Sequence, residues 1–499
     1  MGIMKHLKKS LAMATAVVMA VSLAACGGGT TDTETPTATP PASETPGIET
    51  PVAEAPVDDS TLPEGPVTLR YMSWDLGTEE ENNMRRQMLA AFEAKYENVT
   101  IEIVDVPLRA DGTGGDYGEY LNTLASQQNL PDVFMWTSVP DTTASGWSRD
   151  VSEYAFADPD FQNVVQVMRE GCQLDGKVYA FPYAMFLFGI AFNLDLLDEL
   201  NVAAPAYNYS MQDLMDIIAA TTTATTKGTD SFRVEDWGPI VTSDLGFGTF
   251  DGEKFNFTDP AFAEAIGYYQ EVVAKGQTAH GDFDKDPSWK PEGMGWAWGE
   301  GYIGTAFEAS WSANSWASDD STLRTDLWPL PNEKTVIIPD FIYVANNTEN
   351  PEWAYKLASW MTYNKEGQLA RIEITKAIGP DQTYGSIPVM AGTIPEVDEF
   401  ALQGLDKLPM FLKLYNSLSE KPENAVVEGY KIVPGYHEAR FSADTGVMGT
   451  VNGEEKSLTM EQLINAIIRG EKNLADYAAE MERIANEVHQ KAAEAVRNR

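Results

Sequence analysis

The sequence predicts an α/β fold of two lobes, each a largely parallel sheet flanked by helices, on three observations. From Val67 onward, stretches with strand-like alternation trade places with helical repeats, the order that right-handed βαβ crossovers produce. The stretch from Val67 to Arg499 is longer than one ordinary hydrophobic core supports, so two lobes are expected. The chain holds 2 Cys, one of them near the N-terminus, so no disulfide staples the body and apolar burial must hold it together.

The N-terminus carries Lys5, Lys8 and Lys9 ahead of the apolar run Leu11 to Val21, which is short for a permanent membrane span. It closes on Leu23-Ala24-Ala25-Cys26, which resembles a bacterial lipobox. Residues 1–25 then read as a lipoprotein signal peptide, with Cys26 lipidated as the new N-terminus. An ordinary secretory signal with a chance cysteine is the alternative. Residues 26–66 are Thr, Pro, Gly, Ala, Ser and acids with almost no large apolar residue. Such a segment buries too little to offset its ordering entropy, and a disordered tether is expected.

The body opens on an alternating strand, Val67 to Met72, followed by Ser73-Trp74-Asp75-Leu76-Gly77. Thr78 to Tyr96 reads as a helix, with Met84, Met88, Ala91 and Phe92 on one face and Thr78 and Glu81 spaced as a capping box. Val99 to Val106 is a second strand. A loop, Asp111 to Gly118, leads to the helix Tyr120 to Gln128, and Pro131 to Trp136 is a third strand. Ligands of such sheets gather at the carboxyl ends of the strands, where Trp74, Asp75 and Trp136 fall. Helices are also expected at Leu214 to Ala220, Phe262 to Lys275, Pro351 to Tyr363 and Leu458 to Arg497, the last broken near Gly470.

The formal charge is -40, from 75 acidic and 35 basic residues. That excess argues against nucleic acid and against docking on anionic lipid, both of which need clustered Lys and Arg.

The order of motifs resembles the family-1 extracellular solute-binding proteins of ABC importers, the maltose-binding-protein-like group. The resemblance rests on Phe92-Glu93-Ala94-Lys95-Tyr96 running into the second strand, Leu130-Pro131-Asp132-Val133, Asp175 to Pro182, Phe192-Asn193-Leu194-Asp195-Leu196-Leu197, Gly301 to Trp311, and Asn350-Pro351-Glu352-Trp353-Ala354. Phe192 and Leu194 stand where the family usually has Tyr and Lys. The resemblance implies a type II periplasmic-binding-protein-like fold: residues 67–186 and 340–380 as lobe I, 187–339 and 381–499 as lobe II, and a multi-strand hinge between them. It also implies a monomer that takes a solute between closing lobes and hands it to ABC permease subunits in the membrane, on the extracellular or periplasmic face.

A sugar needs flat apolar faces for its C–H surfaces and carboxylates or amides for its hydroxyls. The chain has 12 Trp. Trp74, Trp136 and Trp311 are the expected stacking residues, with Asp75 and Glu308 accepting from hydroxyls. Tyr183, Tyr343, Tyr384 and Tyr436 form a second tier, and Trp298 is assigned to the core. A polyamine or peptide would suit the same fold, and an oxyanion would need Arg109 or Arg149. A surface glycoside hydrolase using Glu292, Glu300 or Glu308 is the reading from a different class. Asp282, Asp284 and Asp286 have calcium-loop spacing, but Pro287 and Gly293 stand where the loop needs Gly and Glu, so a solvated loop is expected. His280, His437 and His489 lack metal-ligand spacing, and no cofactor is expected. Cys172 reads as a buried thiol.

Overall fold

The computed structural model describes residues 59, 62–78, 81–108, 115–379 and 382–499. Cys26, the signal segment, most of the expected tether, Arg109 and residues 112–114 lie outside them.

The first lobe is laid out as the alternation requires. β1 (Val67–Met72) pairs in parallel with β2 (Val99–Ile103) from Val67↔Val99 to Tyr71↔Ile103, and with β3 (Val133–Trp136) through Tyr71↔Val133 and Met72↔Phe134. The crossover helix spans Met84–Lys95 and begins later than Thr78. Its cap is Asn83, whose side chain accepts from the amides of Arg85 and Arg86, leaving Thr78 and Glu81 to close a turn ahead of it. The second helix, Tyr117–Ser126, starts on Asp116 instead of Tyr120, again because a side-chain oxygen meets a first-turn amide.

A tight ribbon, β4 (Gln173–Leu174) with β5 (Lys177–Val178), turns on Asp175-Gly176, both at positive φ. It feeds β6 (Phe181–Asn193), a strand long enough to serve both lobes. The second lobe adds β7 (Lys227–Thr229), β8 (Ile303–Ala309) and β9 (Thr325–Trp328), and β10 (Thr335–Val344) returns to the first. β10 runs antiparallel to β6 between Val336↔Phe188 and Ile342↔Phe181, with a register shift at Asp340/Phe341, and antiparallel to β3. β6 continues antiparallel to β8 and β9, while β7 pairs in parallel with β8. β11 (Ala425–Val427) adds a parallel partner to β10. The sheet is therefore mixed. The parallel expectation holds for β2-β1-β3 and β7-β8, and it fails at the shared strands, because a return strand reverses direction.

The core falls into two clusters. One gathers Leu69, Tyr71, Met88, Phe92, Phe134, Phe181 and Trp360 and extends through Tyr384 to Leu418. The other gathers Leu214, Ile218, Trp237, Phe262, Tyr269, Leu463 and Met481. β6 supplies both: Leu187 and Ala191 face the first, Ile190 and Phe192 the second, as the period of two requires. The remaining helices follow expectation within a few residues: Met211–Thr221, capped by a Ser210–Asp213 box, Pro260–Ala274, Pro351–Thr362, and Met460–Ile468 separated from Leu474–Arg497 around Gly470. A hairpin of β12 (Asp444–Val451) and β13 (Glu454–Thr459) was not expected.

The body begins ahead of Val67. Leu62 is buried, the Pro63 carbonyl accepts from the Trp353 indole at 3.1 Å, and Asp59 pairs with Lys356 at 2.8 Å. Leu62 is the apolar residue that makes this docking worth its entropy. Cys172 is a fully buried free thiol, and burial pushes its pKa up. Trp298 is in the core, as assigned.

Candidate functional site

β1 and β3, being parallel, end at the same edge of the sheet. Tyr117 ties those ends together by donating to the carbonyls of Met72 (3.2 Å) and Met135 (2.9 Å). The Trp74 ring stands edge-on to Tyr117 with centroids 5.4 Å apart, and it remains 41% exposed. An indole this open, braced from behind, has a face left over for a ligand.

Asp75 is the hub beside it. Its Oδ1 accepts from the Ser73 hydroxyl at 2.5 Å and its Oδ2 from the Tyr183 hydroxyl at 2.5 Å, while Arg85 Nε lies 3.4 Å from Oδ2. The Arg85 guanidinium sits 4.2 Å from the centre of the Tyr183 ring. Burial works against that charge, but Tyr183 and Asp75 more than offset it and hold Arg85 above its ordinary pKa. Arg371 is the opposite case: burial first, and then repulsion from Arg85, brings it down to about 10. It stacks 3.6 Å from the centre of the Tyr384 ring and donates to the Tyr384 carbonyl.

These groups line a cavity of about 490 Å³ between the strand ends and the hinge, with Trp74, Asp75, Arg85, Met135, Tyr183, Phe186, Asp340, Arg371, Tyr384 and Ser386 in its wall. A larger hollow of about 710 Å³ lies elsewhere, against β11 and the C-terminal helix, lined by Val167, Phe250, Val427 and His489 among others. The smaller cavity is the better candidate, because it joins an open aromatic face to converging polar groups.

Of the residues expected from the sequence, Trp74, Asp75, Tyr183 and Tyr384 come together at this cavity. Trp311 and Glu308 stand next to it without lining it. Trp311 is 52% exposed and edges against Phe186, a wall residue, at 5.9 Å. Burial raises the Glu308 carboxyl above its ordinary value, and its Oε1 accepts from the Ala309 amide at 2.9 Å. Trp136 is half-buried, meets the Trp147 ring edge-on at 5.9 Å and does not line the cavity. Tyr343 and Tyr436 are corrections. Tyr343 points into the first core, stacked on Phe134 at 5.5 Å, because β10 is buried on both faces there, with Phe341, Ile342 and Val344 equally enclosed. Tyr436 is clamped in the second core, where a Cβ on Gly248, itself at φ 64, would meet its hydroxyl at 2.2 Å.

Arg85, Arg371, Tyr117 and Ser386 escaped the sequence reading. The two arginines did leave a signal. Arg85 shares the buried stripe of its helix with Met88, Leu89 and Phe92, and Arg371 shares one with Gln368, Ile372 and Thr375. A charge on a core-facing stripe is exceptional. Arg149, one of the cations weighed for an oxyanion, reaches the Asn346 carbonyl at 3.4 Å instead. Glu292 and Glu300 do not line the cavity, and Glu300 is engaged with the Gly295 amide. In the acidic loop, Asp284 turns to Lys227 at 3.4 Å and to the Trp289 indole at 2.7 Å. Among the described residues no group of three His, Cys, Asp or Glu side chains is arranged to hold a metal.

A family model described as bacterial extracellular solute-binding protein matches residues 87–386, well over half of the chain. The chain belongs to this family. A curated relative is the melibiose/raffinose/stachyose-binding protein MelE of Bacillus subtilis (strain 168), 24% identical over 133 residues. That stretch is 26% of this chain and spans only 28% of the relative. Solved family folds align much further. An ABC substrate-binding protein from Listeria monocytogenes in complex with cycloalternan superposes with a TM-score of 0.59 at 16% identity, covering 84% of this chain and 98% of that one. A cyclic alpha-maltosyl-1,6-maltose binding protein from Arthrobacter globiformis gives 0.59 at 19% identity over 86% and 100%. The sugar-binding protein MalE from Xanthomonas citri gives 0.59 at 13% over 87% and 100%. At such identities the likeness establishes the two-lobed solute-binding fold. No helix among the described residues is long and apolar enough to cross a membrane.

Proposed function

We propose that this chain captures a sugar or oligosaccharide between two lobes that close about the β6 and β10 hinge, and delivers it to the permease of an ABC importer. One observation carries the reading: an open Trp74 face braced by Tyr117, beside the Ser73–Asp75–Tyr183 cluster at the cavity mouth. A flat apolar face with polar groups at its edge is what a sugar ring requires. The names of relatives point the same way, since MelE binds melibiose, raffinose and stachyose and the Listeria protein was solved with cycloalternan.

In this reading lobe I is residues 67–186 and 340–380, and lobe II is 187–339 and 381–499. Trp311 and Glu308 meet the solute from lobe II as the cleft closes, and Trp136 extends the platform for longer chains. The chain works as a monomer, by binding alone, without catalysis, metal or cofactor. Residues 1–25 are removed, Cys26 carries the lipid that holds the protein on the extracellular face, and the tether up to residue 66 spaces the body from the membrane.

A thermal-shift screen of the body against sugars, polyamines and peptides tests the solute class. Saturation at a hundredfold excess over Kd adds about 2.7 kcal/mol to the stability of the native state. A rise in Tm with sugars is expected; a rise with polyamines or peptides and none with sugars would contradict the reading. A Cys26→Ala chain should leave the membrane fraction, and one that stays with it would refute the anchor.

A further inference from the structure

Three buried donors without an acceptor converge on the candidate cavity. Arg85 Nη1, Arg371 Nε and Ser386 Oγ are all buried without a hydrogen-bond partner among the described residues, and all three residues line the same hollow. Arg85 is 6% exposed and Arg371 2%. A buried donor left unpaired costs more than an ordinary hydrogen bond returns, and an uncompensated buried charge costs more still. What sets these three apart from unpaired atoms inside the cores, such as Arg440 Nη1, is that they share one cavity.

The local charge count says what arrives. Among the described residues, Asp75 is the one carboxylate in ion-pair contact with either guanidinium, and Arg371 has none. Asp75 is already engaged by Ser73 and Tyr183. Asp340, on the opposite wall, faces Lys431 at 3.3 Å. Glu81 also lines the cavity and accepts from the Thr78 amide, so each carboxylate of the wall is engaged elsewhere, while the two guanidinium groups keep donors to spare in the hollow that Trp74 borders. We infer that the solute carries a carboxylate, as a uronic acid sugar does, and that Arg85 and Arg371 receive it while Trp74 stacks on the ring. This rests on the sugar-capture reading and narrows it to acidic sugars.

The chemistry suits the groups. A guanidinium presents its donors in a plane that matches a carboxylate, and charge-assisted pairs are about twice as strong as neutral ones. Ser386 adds a donor for the second carboxylate oxygen or a ring hydroxyl. The net charge of -40 opposes an anion at long range. In physiological salt, however, that field is screened over about 8 Å, so the contacts within the cavity decide.

The test is calorimetric titration of the full chain with galacturonate, digalacturonate and glucuronate, set against galactose, galactobiose and glucose, with citrate as a carboxylate lacking a sugar ring. The acids should bind about tenfold or more tighter than their neutral partners. Arg371→Gln should erase that preference, the acids losing about tenfold more affinity than the neutral sugars do. Neutral sugars binding as tightly as the acids would overturn the inference and leave sugar capture standing. Citrate binding as tightly as the sugar acids, or no sugar binding at all, would overturn both. An acid preference that survives intact in a folded Arg371→Gln would overturn the assignment to this arginine pair. If Arg371→Gln melts below the assay temperature, Ser386→Ala removes one hydroxyl only and should weaken the acids about fivefold.

Discussion

Two places in this molecule bury arginines, and they settle the account differently. In the second lobe Arg440, 2% exposed, lies 2.7 Å from Asp236 and 3.7 Å from Glu235, while Arg233 reaches Asp236 at 2.6 Å. Two guanidinium groups there face two carboxylates, and the cluster closes on itself within the core. Beside the cleft, Arg85 pairs with Asp75 while Arg371 has no carboxylate partner among the described residues, and both border an open cavity. The contrast separates a structural charge cluster from a receptive one: the first balances its charges inside the core, where Arg440 Nη1 and Glu235 Oε2 stay unpaired, whereas the second presents its spare donors to an open cavity. The family fold explains why the spare donors sit where they do, at the strand ends that meet the hinge.

If this distinction is sound, breaking the closed cluster should damage folding most. Asp236→Ala strands the buried Arg440 and removes the partner of the half-exposed Arg233, and a loss of about 3–5 kcal/mol in urea unfolding is expected. A loss below 1 kcal/mol would mean that the cluster is solvated and the contrast false.

Glu235 sharpens the same comparison through pH. Burial first, and then the neighbouring Asp236 charge, outweigh Arg440 and Arg233 and push its carboxyl up to about 7. A group whose folded pKa lies above its unfolded value contributes stability that is fully present below the unfolded value, near 4.5, and is lost as pH rises through about 7. Asp236, held low chiefly by the two arginines against its burial, acts only in more acid conditions. Unfolding free energy should therefore fall between pH 5 and pH 8 by on the order of 2–3 kcal/mol more in the wild type than in Glu235→Gln. Parallel pH profiles would show that Glu235 titrates normally.

At the cleft the expected effects are on binding rather than on folding. Trp74→Ala removes a half-exposed ring, so Tm should hardly move while sugar affinity drops by about 1–3 kcal/mol, the scale of a lost stacking anchor. A matching loss of stability would place Trp74 in the core instead. The smallest effect belongs to the docked N-terminal segment. Trp353→Phe deletes the hydrogen bond to the Pro63 carbonyl and should cost about 1 kcal/mol, with faster proteolysis ahead of Val67 as the second readout.

Much of this was legible before the structure. The βαβ order, the strand ends at Trp74 and Trp136, and the helix starts at prolines follow from periodicity and capping chemistry, which are local. Register and direction are not local, so the antiparallel return through β10 and the resulting mixed sheet could not be read. Tyr343 and Tyr436 looked like rim residues because sequence shows that a tyrosine is near a hinge but not which face it takes. The cleft arginines were missed for the converse reason. Arg85 interrupts an apolar stripe and Arg371 sits on a buried but mostly polar one with Gln368 and Thr375, so neither reads as a binding residue until its neighbours are known. The late start of the first helix at Met84 was decided by Asn83, a better cap than the Thr78–Glu81 box because it meets two amides at once.

Small-angle scattering of the chain with and without a saturating sugar tests the central claim most directly. The account predicts that the radius of gyration falls when sugar binds the wild type and stays unchanged with Trp74→Ala at the same sugar concentration. Saturable binding with no compaction, or equal compaction in the variant, would contradict capture between closing lobes at this site.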